Sequence, residues 1–387
     1  MVFFLFSLFL LLLYSGIILF YRQSWMSIRE FKSEAHNGAK KPPLISVIIA
    51  ARNEEKNIAT CLKSVSDQLY PPNLFEIILV DDHSTDKTVS IAASLGISNL
   101  KILRLEDYVV NKKLNAYKKT AIDAAIVASK GDLVVTTDAD CLVKKSWLQT
   151  IANFYLLNDP VFIAAPVAYD NPLKSDSFLL QLLKIFQILD FLSLQGITGA
   201  SVNKQFHNMC NGANLAYTRQ AFLEVDGFLG IDDIASGDDM LLMHKIQKRF
   251  PGKIAFLKSR EAIVRTQPAV SLKEFMNQRI RWASKADRYT DSKITLVLLL
   301  VYVFNVWILI VAARSIFLSS YIYLLLLLIL IKTAVELIFL FPVAVFFKKQ
   351  KLLWWFLPAQ PFHIMYTVVA GWLGKFGSYN WKGRKTH

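Results

Sequence analysis

Two aspartates one residue apart, Asp138 and Asp140, are the side chains of this sequence best placed to do chemistry. They lie in the stretch Gly131 to Cys141, GDLVVTTDADC. Two carboxylates so spaced at the end of a strand can address one bound cation through hard oxygen donors, and open parallel sheets bind ligands at the carboxyl ends of their strands. Taken alone, such a pair is more often a solvated acidic turn. Two further polar clusters share the setting. SVIIAARNEE, Ser46 to Glu55, puts Ala51, Arg52, Asn53 and Glu54 at a strand-to-helix junction, where they can meet a base, a ribose or a phosphate; Asn and Glu are also ordinary helix-start residues. EIILVDDHSTDKT, Glu76 to Thr88, delivers Asp81 and Asp82 to the same sheet edge, where two acids need partners. Ser84, Thr85 and Asp86 read instead as caps of the next helix.

The elements that would position these groups follow from periodicity. Short apolar runs predict strands at Leu44 to Ala50, Phe75 to Val80, Leu100 to Leu105 and Leu133 to Thr137, and the stretches Glu54 to Leu69, Lys87 to Ser94 and Ala116 to Ser129 between them read as helices. This alternation predicts an α/β domain with a mostly parallel sheet over residues 42–290. The second half is less regular. Phe178 to Leu194 is apolar but interrupted by Lys184 and Asp190, which favours a core or interfacial helix over a span. Leu272 to Tyr289 reads as a basic helix, with Arg279, Arg281, Lys285 and Arg288, lying near a lipid surface.

Of the 387 residues 54% are hydrophobic and mean hydropathy is +0.36, more apolar than a soluble domain, so a membrane protein is expected. Residues 1–21 can cross a bilayer; lacking a basic start and a small-residue cleavage site, they read as an anchor rather than a signal peptide. The linker 22–41, with Arg22, Arg29, Lys32, Lys40 and Lys41, holds this end in the cytosol. The C-terminal membrane region, 291–387, offers spans at 295–313 and 320–347. Lys332 and Glu336, four residues apart in the second of these, read as a structural pair. Leu352 to Leu373 is interrupted by Pro358 and Pro361 and precedes a basic tail with Lys375, Lys382, Arg384 and Lys385, which predicts a re-entrant or interfacial segment. The formal charge of +14 is assigned to anionic lipid, not nucleic acid, for which no motif is present. Cys61, Cys141 and Cys210 have no metal-type spacing and fit a reducing compartment. His207 and His244 are isolated and read as structural or exposed.

SVIIAARNEE, VDDHSTD, TDADC, NGAN with DGF, GDDMLL and QRIRW, in this order from Leu44 to Trp282, resemble the family 2 inverting glycosyltransferases, the group of cellulose, hyaluronan and chitin synthases and ceramide glucosyltransferases. The resemblance implies a GT-A, Rossmann-like fold, a nucleotide-diphosphate sugar donor (a UDP-sugar foremost), a cation held through DxD, and single displacement at the anomeric carbon. It places Asp81 and Asp82 at the nucleoside and Asp138 and Asp140 at the metal, with Asp140 in direct contact and Asp138 also facing the donor. Lys118 and Lys119 match a basic pair on the donor side, although Tyr117 and His83 stand where the family often has glycine. Asn211, Gly212 and Asn214 resemble the acceptor-side loop. Asp238 and Asp239 align with the family's Glu-Asp pair, whose second acid is the general base: an attacking hydroxyl must lose its proton, and a neighbouring carboxylate raises a carboxyl's pKa towards the useful range. Gln278, Arg281 and Trp282 form QxxRW, a flat face for a sugar and fixed donors for a diphosphate.

The expected protein is therefore a membrane-bound glycosyltransferase of cell-envelope glycolipid or polysaccharide synthesis. Its catalytic domain faces the cytosol of a bacterial-type plasma membrane, its donor is a nucleotide sugar and its acceptor a lipid or glycan. A processive synthase with export, or a non-catalytic nucleotide-sugar scaffold, are the alternatives. Sugar, nucleotide, acceptor and oligomeric state are left open by the sequence.

Overall fold

The computed structural model describes residues 1–33, 41–108, 116–173, 176–232, 237–285, 291–376, 379–381 and 384–386. Lys40, Arg288, Lys382 and the far end of the expected 272–289 helix lie outside the described residues. The chain forms two compact units, one of residues 29–168 and 208–267, the other of residues 1–28, 169–207 and 268–387. The stretch expected as a single domain over 42–290 is thus divided between the two.

The first unit is organised by a seven-stranded sheet in the spatial order Leu100–Arg104, Phe75–Asp81, Ile45–Ala51, Leu133–Asp138, Leu215–Thr218, Phe162–Ala164, Ile254–Phe256. The first four strands are mutually parallel. Leu215–Thr218 runs antiparallel to both its neighbours. The mostly parallel α/β sheet expected from the sequence is present, and its four predicted strands lie within a residue of their expected ends. In the strands Phe75–Asp81, Ile45–Ala51 and Leu133–Asp138 the Val, Ile and Leu side chains are almost wholly buried, as strands covered on both faces require, whereas the edge strand Leu100–Arg104 buries only Leu103 fully. The register matters for function. Ala51 pairs with Asp81 and Ala50 with Asp138, so both acids leave the sheet at one edge on either side of the Ile45–Ala51 strand.

The second unit is helical. Four of the described helices, Val2–Ser27, Phe178–Asn203, Ser292–Phe317 and Ser320–Phe346, are long and apolar enough to cross a membrane by length and composition. Phe178–Asn203 is longer than the expected 178–194 and tolerates its charges because both are paired: Lys184 with Asp176 at 2.8 Å and Asp190 with Arg279 at 2.6 Å. Lys332 does pair with Glu336, at 2.6 Å. Gln360 completes the set, accepting from Lys332 at 2.9 Å and donating to Glu336, which also accepts from Tyr14. Such full pairing is what lets charge persist in an apolar bundle. In the stretch expected as a re-entrant or interfacial segment, a short 3-10 turn (Gln350–Trp355) leads into one helix, Phe356–Phe376. Pro358 falls in its first turn, where the missing N–H costs nothing, and Pro361 is absorbed within the helix.

Candidate active site

At the carboxyl edge of the sheet the loops after the first two strands interlock. Asp82 donates its N–H to the Ala51 carbonyl at 2.8 Å, and Arg52 Nη1 returns to the Asp82 carbonyl at 3.0 Å. Asn53 Oδ1 accepts from the Thr85 N–H (2.8 Å), and the Glu54 N–H donates to Thr88 Oγ1 (2.7 Å). Asp86 accepts from the Thr88 N–H at 3.0 Å. Burial opposes its ionisation, but these hydrogen bonds prevail and hold its carboxyl below the ordinary range, in keeping with a cap. Asp81 accepts from the Ser84 N–H at 3.3 Å through Oδ2, while its Oδ1 is buried with no hydrogen-bond partner among the described residues. Asn53 and His83 both adopt left-handed backbone, φ 53° and 55°. The ring of His83 meets that of Tyr117 edge-on at 5.9 Å. The two positions at which the resemblance leads one to expect glycine therefore carry aromatic rings that pack on each other.

The Leu133–Asp138 strand supplies the next group. Cys141 N–H bonds back to the Asp138 carbonyl at 3.1 Å, turning the chain so that carboxylate oxygens of Asp138 and Asp140 and the sulfur of Cys141 lie within 4.8 Å of one another. Thr266 Oγ1 donates to Asp140 Oδ2 at 3.2 Å. The two carboxylates are partly open to solvent, whereas the Cys141 thiol is buried. Burial first, then the charges of Asp140 and Asp138, push its pKa well above the ordinary thiol range. Hard cations take oxygen in preference to sulfur, so of these three residues the two carboxylates are the donors suited to Mg or Mn.

Lys118, in the second position of the Tyr117–Ala128 helix, points its ammonium between Asp138 Oδ1 (2.8 Å) and Asp238 Oδ2 (3.2 Å). Burial would lower its pKa, but Asp138 and Asp238 outweigh this and raise it. Lys119, one residue on, faces away, as successive helical residues must; it is buried and donates to the Ile231 carbonyl. Asp238 and Asp239 open the Asp238–Arg249 helix. Asp239 Oδ2 accepts from the Gly212 N–H at 3.0 Å. A Cβ on Gly212 would lie 3.4 Å from Asp238 Oδ2 and from Lys118 Nζ, so this loop passes at contact distance from all three charged residues. Asn211 Oδ1 accepts from the Ala213 N–H at 3.0 Å and shapes the turn.

Asn214 does not reach this cluster. It is fully buried, donates to the Pro166 and Ala262 carbonyls (2.8 Å each) and accepts from Trp147 Nε1 at 3.0 Å. With its polar atoms committed to the scaffold it is a structural tie. Asn214→Ala leaves the Ala262 carbonyl and Trp147 Nε1 without this partner, each costing about 1–3 kcal/mol, and takes one of two donors from the Pro166 carbonyl, which still accepts from the Val264 N–H at 3.1 Å. The expected result is a protein that unfolds at lower temperature or fails to accumulate, read by thermal unfolding; a variant as stable as the parent rejects the assignment.

Gln278, Arg281 and Trp282 belong to the other unit, on the helix Leu272–Ala283. Gln278 Oε1 accepts from Tyr169 Oη at 3.2 Å. His207 is buried against the Tyr21 hydroxyl, and His244 Nε2 lies 3.1 Å from the Asn208 carbonyl, consistent with structural histidines. Thr266 is the site residue that sequence reasoning missed; a lone threonine far from Asp140 carries no local signal.

Residues 46–222 match the model of the Glycosyl transferase family 2. The glycosyltransferase AglE of Haloferax volcanii is 37% identical over 109 residues, 28% of this chain and 34% of that protein. A beta-monoglucosyldiacylglycerol synthase of Nostoc sp. is 32% identical over 108 residues, 27% of this chain and 22% of its own length. The chain thus spans about a third of the first of these relatives and less than a quarter of the second. Among solved structures, the mannosyltransferase PcManGT from Pyrobaculum calidifontis, in complex with GDP-Man and Mn2+, covers 96% of this chain and 98% of its own with a TM-score of 0.54 at 18% identity. That likeness gives the fold, a GT-A type α/β sheet accompanied by apolar helices.

Proposed function

We propose that this chain, whose residues 46–222 match the Glycosyl transferase family 2 model, is a membrane-bound inverting enzyme that moves a sugar from a nucleotide diphosphate to a lipid or glycan hydroxyl. The observation that carries the reading is the meeting of Asp138, Asp140, Lys118, Gly212, Asp238 and Asp239 at one sheet edge. Asp239 takes the proton of the acceptor hydroxyl as its oxygen bonds to the anomeric carbon and the bond to the leaving diphosphate breaks on the opposite face. Its Oδ2, held by the Gly212 N–H, is thereby fixed for that transfer. Lys118 stands ready to offset charge gathering on the departing phosphate. Asp138 and Asp140 would hold a divalent cation, which would supply further charge neutralisation there. The unpartnered Oδ1 of Asp81 suits an N–H of the nucleobase, since a buried acceptor is costly unless a ligand completes it. Arg52, Asn53 and Glu54 frame the same side, and Ala51 sets its backbone floor. On the strength of the resemblance Gln278, Arg281 and Trp282 serve the acceptor and the diphosphate.

Four helices fit to cross a membrane, and likeness to a diacylglycerol-glycolipid synthase, favour a lipid acceptor. Because PcManGT was solved with GDP-Man, donors of both the UDP and GDP series belong in the test. The full chain in membranes is offered each labelled nucleotide sugar, and lipid and polymer products are resolved by mass. A single added hexose on lipid is expected. A ladder of products rejects the lipid transferase in favour of a processive synthase, and binding with neither transfer nor hydrolysis rejects the enzyme in favour of a scaffold.

A further inference from the structure

The helix Leu272–Ala283 carries, between Gln278 and Trp282, an arginine that the proposed chemistry does not use. Arg279 is 4% exposed, and its Nη2 lies 2.6 Å from Oδ2 of Asp190, itself buried on the Phe178–Asn203 helix and accepting a hydrogen bond from Tyr366. The guanidinium carbon sits 4.3 Å from the centre of the Trp282 ring and 5.0 Å from that of Phe275. Phe191, next to Asp190, lies 6.2 Å from Trp282 and stacks at 4.3 Å on Tyr169, whose hydroxyl holds Gln278. Both Gln278 and Trp282 are therefore tied to the same pair of residues, Asp190 and Phe191.

A buried ion pair is a poor way to gain stability, since two apolar side chains of similar volume pack as well or better. What a guanidinium offers and an aliphatic chain does not is a flat cation that attracts an aromatic face and fixes its plane. We propose that Arg279, braced by Asp190, is a positioning residue that sets the plane of the Trp282 indole, with the Phe191–Tyr169 stack setting Gln278 in the same frame. Its consequence for transfer rests on the reading of Trp282 as an acceptor-side contact. The brace itself does not.

Two variants of the full chain test this. Arg279→Lys keeps a charge for Asp190 and removes the plane. The double variant Arg279→Met with Asp190→Leu removes both buried charges and keeps a packed interior if the lysine variant folds poorly. Each is labelled with fluorotryptophan, and the Trp282 fluorine resonance is identified by its loss in Trp282→Phe. In both variants the resonance is expected to shift and broaden, kcat/KM for the acceptor to fall about tenfold to a hundredfold, as misplacement of a contact by an ångström can do, and donor affinity to stay unchanged. A Trp282 resonance unmoved in both variants overturns the proposal whatever the activity. A moved resonance with undiminished transfer leaves the brace standing and overturns instead the role given to Trp282 in the reaction.

Discussion

Asp239→Asn is expected to abolish sugar transfer while leaving donor binding intact. The amide is nearly isosteric, and its oxygen can still accept from the Gly212 N–H that Asp239 Oδ2 engages at 3.0 Å, so the NGAN loop keeps its place. The amide nitrogen cannot accept from the Met240 N–H, which Oδ1 now engages at 2.8 Å; that loss costs about 1 kcal/mol and should appear as a slight fall in unfolding temperature. What disappears is the base. Positioned proton transfer contributes about a hundredfold to ten-thousandfold, and the fall should lie wholly in kcat with acceptor saturating. Asp238→Asn is the informative neighbour. Asp238 is paired with Lys118 at 3.2 Å, so its loss disturbs the charge balance rather than the base, and donor affinity should change along with rate. Initial-rate measurements beside donor titration by calorimetry separate the two. Transfer by Asp239→Asn at the parent rate removes Asp239 from the chemistry.

The parts of this picture visible in the sequence are those written locally. Val, Ile and Leu runs ending in polar residues mark the three inner parallel strands, because a strand buried on both faces admits little else, while the edge strand Leu100–Arg104 carries exposed Lys101 and Arg104. The strands Phe162–Ala164, Leu215–Thr218 and Ile254–Phe256 are too short for a period to show, and their pairing is decided by packing against the Leu133–Asp138 strand and its neighbours. Asp138 and Asp140 are separated only by Ala139 in sequence and so could be read as a pair. That Lys118 joins Asp138 to Asp238 is set by topology alone, and only helix geometry separates Lys118, at the site, from Lys119, buried behind it. Asn214 shares the turn chemistry of Asn211, yet it stands next to a central strand and is consumed there. Lys184 and Asp190 read as interruptions of an apolar helix because their partners, Asp176 and Arg279, are not apparent in any local pattern.

Asp140→Ala should separate metal-dependent from metal-independent donor binding. The site has two carboxylates for a hard cation, and a ligand removed from so small a set should cost no less than loss of an outer-shell partner, which weakens metal affinity about tenfold to a hundredfold. Thr266→Val, which takes away the hydroxyl that orients Asp140 at 3.2 Å, should fall at the low end of that range. Lys118→Met is expected to act in the opposite sense on the metal alone. Its ammonium lies 2.8 Å from Asp138 Oδ1, so it both occupies a lone pair that a cation would use and repels the cation by its charge. Removing it should raise the affinity of the free protein for Mn2+ and yet weaken binding of the nucleotide sugar, because the diphosphate loses a counter-charge that the metal does not replace. Mn2+ titration followed by electron paramagnetic resonance, first without and then with the donor, reads both effects. If Asp140→Ala binds Mn2+ and donor as the parent does, the cation site lies elsewhere. If Lys118→Met weakens Mn2+ binding by itself, the lysine is orienting Asp138 for the metal rather than competing with it.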